Sequence, residues 1–170
     1  MIQSILRRQG PSQGTKHWLE ARKNVITATD ISALIGSNPY QTRQDIIDKK
    51  KSNSTFQSNP AMDWGTAFEE IAADCYQQKH DSSKQIETGL VYHSNIKFLA
   101  ASPDRIIHSS TEPYLIEIKC PYKRSLSAKP ARMYLHQVQH QLEVTNLSYG
   151  YLWECSFGLY NTLNEYNNDN

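Results

Sequence analysis

Leu115-Ile116-Glu117-Ile118-Lys119, preceded at short range by Ser102-Pro103-Asp104, is the stretch that decides how this 170-residue chain is read. Successive side chains of a β-strand point to opposite faces, so Ile116 and Ile118 are expected to enter the core while Glu117 and Lys119 project together from the other face. The 13 residues from Asp104 to Glu117 suit a hairpin-like return that brings the two carboxylates together. Taken alone, an E-x-K in an apolar run more often describes the wet face of an amphipathic strand. It is the combination with a rigid proline and a second acid that points to chemistry.

Outward from this stretch, the sequence alternates helical and extended patterns. Residues 16–24 read as a short helix after Gly10-Pro11 and Gln13-Gly14. Thr27 or Thr29 caps a second helix that stops at Gly36, and a third covers residues 42–50 before the polar segment 52–59, read as a mobile loop. Over residues 63–79, Trp64, Phe68, Ala72, Cys75 and Tyr76 form a helical stripe. Glu69 borders that buried stripe, whereas Glu70 is expected to face water; a carboxylate at the border needs a cation. Four β-type runs follow at 89–93, 97–101, 105–108 and 114–120, read as a β-meander. Pro121 ends the last of them. A helix over about 131–144 leads to a final strand at 149–154, and the tail 161–170 reads as frayed.

Composition sets the outer bounds. The 38% hydrophobic and 21% charged content describes one globular domain over residues 1–170. The net charge of +1 hides a basic strip, Lys119, Lys123, Arg124, Lys129 and Arg132, long enough to meet a phosphate backbone. Cys75, Cys120 and Cys155 are odd in number and widely spaced, which fits neither a disulfide framework nor a zinc knuckle, so reduced thiols in the cytoplasm are expected. No apolar run approaches the roughly 20 residues that span a bilayer, and the first eight residues lack a signal-peptide core; no membrane partner is expected.

Hydrolysis of a phosphodiester requires an activated water and compensation for charge growing on the phosphoryl and leaving oxygens. Mg²⁺ supplies both and needs only two or three carboxylates, because it retains waters and binds the substrate phosphate as well. Asp104, Glu117 and Glu69 are the candidate ligands with the Ile118 carbonyl, and Lys119 can orient the water or offset the developing charge. His136 and His140 stand four apart on the expected helix, but Gln137 occupies the place of the glutamate that a zinc protease requires. On that helix Tyr134, Gln137, Gln141 and Val144 share a face, which would set the amides near the site.

These residues resemble the PD-(D/E)XK nucleases, and within them the YqaJ-type viral recombinases that include bacteriophage lambda exonuclease. The resemblance is carried by Gln13-Gly14 with Trp18, Arg22 and residues 25–29; by Trp64-Gly65-Thr66-Ala67-Phe68-Glu69; by Ser102-Pro103-Asp104; by Glu117-Ile118-Lys119-Cys120-Pro121; and by Gln137-Val138-Gln139. It implies an α/β (α+β) restriction-endonuclease-like core, a mixed central β-sheet flanked by helices. It implies metal ligation by Asp104, Glu117 and the Ile118 carbonyl, with Glu69 at a second metal position or its water. Lys119 would activate the nucleophile, and Gln137 would support it. Arg22, Thr29 and Ser102 match positions that grip a terminal 5′-phosphate, Thr29 standing where the relative has serine.

The implied function is a Mg²⁺-dependent deoxyribonuclease, with one or two ions and Mn²⁺ as a substitute, acting as a 5′→3′ exonuclease in phage-type recombination or DNA degradation in a bacterial host. The alternatives are a structure-selective or nicking endonuclease on the same core and a non-catalytic module that binds DNA ends. Duplex DNA ends are the expected partner, joined by a single-strand annealing protein and by further copies of the chain. A ring-shaped trimer is left open, since only 16 residues follow Glu154.

Overall fold

A computed structural model describes residues 1–52, 57–80 and 84–169. Residues 53–56 of the expected loop at 52–59 therefore fall outside the described residues. The elements run α1 (Ile2–Leu6), α2 (Lys16–Lys23), α3 (Ala28–Leu34), α4 (Arg43–Lys51), α5 (Pro60–Lys79), β1 (Lys84–Ile86), β2 (Val91–Tyr92), β3 (Ala100–Ala101), β4 (Arg105–His108), β5 (Tyr114–Lys119), α6 (Arg132–Thr145), β6 (Gly150–Glu154) and α7 (Leu163–Asn168).

The central sheet has the strand order β1-β4-β5-β6; the first two pairings are antiparallel and β5 runs parallel to β6. A parallel pair needs a long crossover, and α6 supplies it. That connection decides what covers β5. Ile107, Ile116 and Ile118 pack with Ala72, Ala73 and Tyr76 of α5, whereas Ile106 and Leu115 pack with Val138 and Val144 of α6 and with Ile5 and Ala28 from the amino-terminal segment. The sheet is thus sandwiched between helices, a mixed α+β core as expected. The expectation for Glu117 changes, however. Its face is covered by α6, and Glu117 is only 1% exposed.

The meander gives way to two sheets. β2 and β3 form a sheet of their own, Val91 opposite Ala101 and Tyr92 opposite Ala100, flanked by single bridges from Gln9 and Ile26, while the unanticipated β1 takes the edge beside β4. Ser102-Pro103 makes the break, since a proline cannot donate to a ladder. Gln13 secures that break: its Nε2 donates to the carbonyls of Thr88 (3.1 Å) and Pro103 (3.2 Å). Gly89 lies so close to the backbone of Pro11 that a Cβ there would collide with it.

Two further elements escaped the periodicity. α1 is short, but Ile5 is fully buried, and Arg8 just beyond it donates to Tyr92 O (2.6 Å), Val144 O (2.7 Å) and Thr145 O (3.2 Å). Arg8 thereby satisfies carbonyls at the end of α6 that have no partner within the helix. α6 itself stops at Asn146 in the left-handed region, φ 60°. The tail is not simply frayed: Thr162 caps α7, although none of α7 is buried.

Candidate active site

The register of the β4–β5 hairpin explains the 13-residue spacing. Arg105 pairs with Ile116, so one further step sets Asp104 opposite Glu117, and residues directly opposite in an antiparallel pair share a face. Asp104 no longer continues the ladder through its backbone. Its Oδ2 instead accepts the Ile118 N–H at 2.7 Å, which fixes the carboxylate at the mouth of the hairpin.

Glu117 is held from three directions. Oε1 accepts from Lys119 Nζ and from Gln137 Nε2 (2.5 Å), and Oε2 accepts from Gln141 Nε2 (2.6 Å). The one-turn spacing of Gln137 and Gln141 on α6 sets both amides over the same strand residue. Burial pushes Asp104 well above the usual carboxylate range, and the charges of Glu117 and Glu69 push it further, against the pull of Lys119 and the Ile118 N–H. Burial works against charge on Lys119, but Glu117 and Asp104 outweigh it and hold the ammonium charged. The Tyr134 ring stands 5.4 Å from Lys119 Nζ and 5.6 Å from Arg124 Cζ, so the first turn of α6 helps place the lysine.

Glu69 stands to one side on α5. It borders the buried surface as expected, and the cation that satisfies it is Arg105, with Nη1 at 3.5 Å from Oε1. The same guanidinium contacts Glu70, which therefore does more than face water, and Glu87 (3.5 Å). Burial raises Glu69 above its ordinary range; Arg105 opposes this and Glu117 adds to it. Trp64 stacks near Phe68 (4.4 Å) and Tyr122 (5.4 Å), joining this helix to the segment after β5. Nothing packs against Gly65 that would demand a glycine.

Among the described residues no three His, Cys, Asp or Glu side chains are drawn together into a metal cage. The donors at hand suit a hard ion that retains much of its water: two carboxylates that the hairpin register sets opposite each other, with the Ile118 N–H on one of them. The two histidines do not converge on a common site. His136 Nδ1 bonds Ser37 Oγ (2.7 Å), whereas buried His140 directs Nε2 to Ala100 O (3.1 Å), so the two are spent on separate structural contacts.

The other anticipated residues also converge. Arg22 Nη2 donates to Thr29 Oγ1 at 2.8 Å, its guanidinium lies 4.1 Å from the Trp18 ring, and Trp18 Nε1 donates to Ser102 Oγ at 2.9 Å. Burial lowers Arg22, with Asp30 opposing, and among the described residues no carboxylate is recorded in an ion pair with the guanidinium. Behind this group Lys50, which sequence reading missed, bonds Asp30 Oδ2 (2.7 Å), Arg22 O (3.0 Å) and Val25 O (2.6 Å), tying α2, α3 and α4 together. Arg105 was missed as well, whereas Gln141, expected on the Gln137 face near the site, is found there on Glu117. Arg105 could have been found as the neighbour of Asp104 that must point to the α5 side.

No helix among the described residues is long and apolar enough to cross a membrane. All three cysteines are free.

The sequence matches the model of the YqaJ-like viral recombinase domain over residues 17–148. It is 32% identical over 161 residues to the uncharacterized protein R354 of Acanthamoeba polyphaga mimivirus, covering 85% of this chain and 28% of that protein. It is 26% identical over 185 residues to protein D345L of African swine fever virus, covering 88% and 51%. The chain thus spans from about a quarter to half the length of these curated relatives. In structure it is similar to the alkaline exonuclease LHK-Exo of Laribacter hongkongensis, with a TM-score of 0.70 and 28% identity over 86% of this chain and 76% of that one. A second structure of LHK-Exo, in complex with dAMP, aligns with a TM-score of 0.68 and 27% identity over 85% and 74%. The family match spans both the acid pair and the Arg22 group, and the chain belongs to the YqaJ-like viral recombinase domain family.

Proposed function

We propose that this chain is a metal-dependent deoxyribonuclease that removes nucleotides from duplex DNA ends in the 5′→3′ direction. One observation carries the reading: the Arg22–Thr29–Ser102 group and the Asp104–Glu117 pair share the single turn Ser102-Pro103-Asp104. Two residues of chain reach at most about 7 Å. A terminal phosphate held at Ser102 is therefore kept within reach of the acids, as trimming from an end requires. The similarity to an alkaline exonuclease, and the dAMP held by one structure of it, support the same reading.

Mg²⁺, or Mn²⁺ in its place, would be held by Asp104, Glu117 and the Ile118 carbonyl, with Glu69 serving a second ion or its water, and would supply Lewis acidity and an activated water. The protein's own groups do the rest. Lys119, kept charged by Glu117 and Asp104, offsets negative charge developing on the phosphoryl oxygens. Gln137 holds Glu117 in place and leaves its second N–H for the nucleophilic water. Arg22 meets the 5′-phosphate with a half-buried guanidinium, and charge-assisted pairs of this kind are strong. Exposed Lys123, Lys129 and Arg132 extend a basic surface for the duplex. The setting is recombination or DNA degradation in the host-cell cytoplasm, together with a single-strand annealing protein and with the chain as a homo-oligomer.

End-labelled duplexes with and without a 5′-phosphate provide the test. Faster release of mononucleotides from phosphorylated ends, and no cleavage of covalently closed circles, is expected. Cutting of closed circles with indifference to the phosphate would replace this reading with an endonuclease, and a lack of divalent-cation-dependent turnover would leave a DNA-end binder. Arg22→Gln should erase the preference for phosphorylated ends, a loss of about 10- to 100-fold for a charge-assisted bond.

A further inference from the structure

We infer that Gln141 is a positioning residue that leaves one carboxylate lone pair of Glu117 open and aims it toward a divalent cation. The inference rests on the metal-dependent reading above and extends it to a residue to which that reading gives no role.

The argument is a count of lone pairs. A carboxylate offers about four acceptor sites, two on each oxygen. Among the described residues, Lys119 and Gln137 occupy both sites of Glu117 Oε1, and Gln141 Nε2 occupies one site of Oε2 at 2.6 Å. One site on Oε2 is left. With Oε1 engaged twice and Oε2 pinned from the α6 side, the carboxylate cannot turn to bind an ion through both oxygens. Oε2 is the oxygen that would remain for an ion, on the side of Asp104, which one further step of the hairpin register sets opposite.

Gln141 is fully buried, and its own Oε1 has no hydrogen-bond partner among the described residues. The amide is oriented by Glu117, because turning it over would bring two oxygens together. An unpartnered carbonyl oxygen in the core is destabilising, and methionine would fill the same space without it. What glutamine adds at this position is the N–H on Glu117. Outer partners of this kind commonly change metal affinity by about 10- to 100-fold.

The test measures Mn²⁺ binding to the DNA-free protein from the paramagnetic signal of unbound Mn²⁺, in wild type, Gln141→Met, Gln141→Asn and the exposed control Gln139→Met. The expected result is at least about tenfold weaker binding in both Gln141 variants and none in the control. A merely structural role would lower the melting temperature without moving the affinity. In wild type, the Gln141 side-chain amide resonance should shift saturably with Mg²⁺, a readout that needs no variant to fold. Affinities within twofold of wild type in a folded Gln141→Met, or an amide resonance unmoved at saturating Mg²⁺, would overturn the inference while leaving the nuclease reading intact. A wild type that binds no Mn²⁺ would overturn both.

Discussion

Asp30 and Asp104 are both aspartates withdrawn from water, and their surroundings treat them in opposite ways. Asp30 is 3% exposed, and its Oδ2 accepts from Lys50 Nζ (2.7 Å), Thr27 Oγ1 (2.6 Å) and Thr27 N (2.8 Å). Burial alone would raise it, yet Lys50 and Thr27 hold it below the usual carboxylate range. Asp104 has one backbone N–H and must share a single lysine with Glu117, and it is driven well above that range. At Asp30 charge is balanced and every donor is used. At Asp104 there is a carboxylate in excess. The first arrangement completes the fold; the second opposes it, and under the metal-dependent reading proposed above a bound cation would relieve it.

The comparison is broken most severely by neutralising the acid in excess. Asp104→Asn should lower DNA cleavage by about 10³-fold or more, since it removes a ligand from the reacting centre, as followed by release of labelled nucleotide under single-turnover conditions. Asp30→Asn should leave the chemical step nearly unchanged wherever the protein is folded. Equal loss of activity in both variants would mean that the two aspartates do not divide between fold and chemistry.

Stability should respond in the reverse order. Removing one partner of a buried ion pair costs about 3–5 kcal/mol, so Asp30→Ala should lower the melting temperature by about 10 °C in a chain of this length. Asp104→Asn relieves repulsion, and in metal-free buffer it should raise the midpoint by about 3 °C. Saturating Mg²⁺ then reverses the ranking. At 100 times its dissociation constant an ion adds about 2.7 kcal/mol to the protein that binds it and nothing to a variant that does not. Calorimetric scans of both variants with and without Mg²⁺ read all of these shifts.

How much of this contrast was visible in sequence follows from the range of the interactions. The acid pair was legible because a hairpin is local: Pro103, the apolar alternation and the 13-residue spacing together fix the register that sets Asp104 opposite Glu117. Helices α2 to α6 were legible from their caps and periodicity, with Thr27, Thr42 and Asn59 all serving as N-caps. β1 and the separation of β2–β3 were not, because two- and three-residue strands carry no measurable alternation and owe their pairing to the surrounding core. Burial of Glu117 was missed because alternation reports one wet face, whereas the parallel β5–β6 pair brings α6 across it. Lys50 was read only as the last residue of the helix over 42–50; its three acceptors come from other segments, so no local pattern marks it.

The pH dependence sharpens the comparison further. Asp30 has a lowered folded-state value, so its contribution is present above the ordinary aspartate value of 3.8 and is lost as pH falls through the lower one. Asp104 has a raised value, so metal-free stability falls as pH climbs from 3.8 through its folded-state value. Melting temperatures of the metal-free protein between pH 3 and pH 8 should accordingly lose their acid limb in Asp30→Asn and their downward slope above it in Asp104→Asn.

The smallest expected effect sets the scale for the rest. Glu20 and Lys23 form an ion pair of 3.1 Å along α2, closer to the Arg22 group in sequence than either aspartate is to its lysine. Their side chains are 58% and 28% exposed, so water already solvates both charges, and the Coulomb gain is offset by the cost of fixing two flexible chains. Lys23→Ala should therefore change stability by no more than about 0.5 kcal/mol, and added salt should shrink even that. A larger loss, measured by urea unfolding at low and high salt, would show that proximity of charge alone governs this protein. The contrast between Asp30 and Asp104 would then have to be reassigned from the completeness of their bonding to the mere number of neighbouring charges.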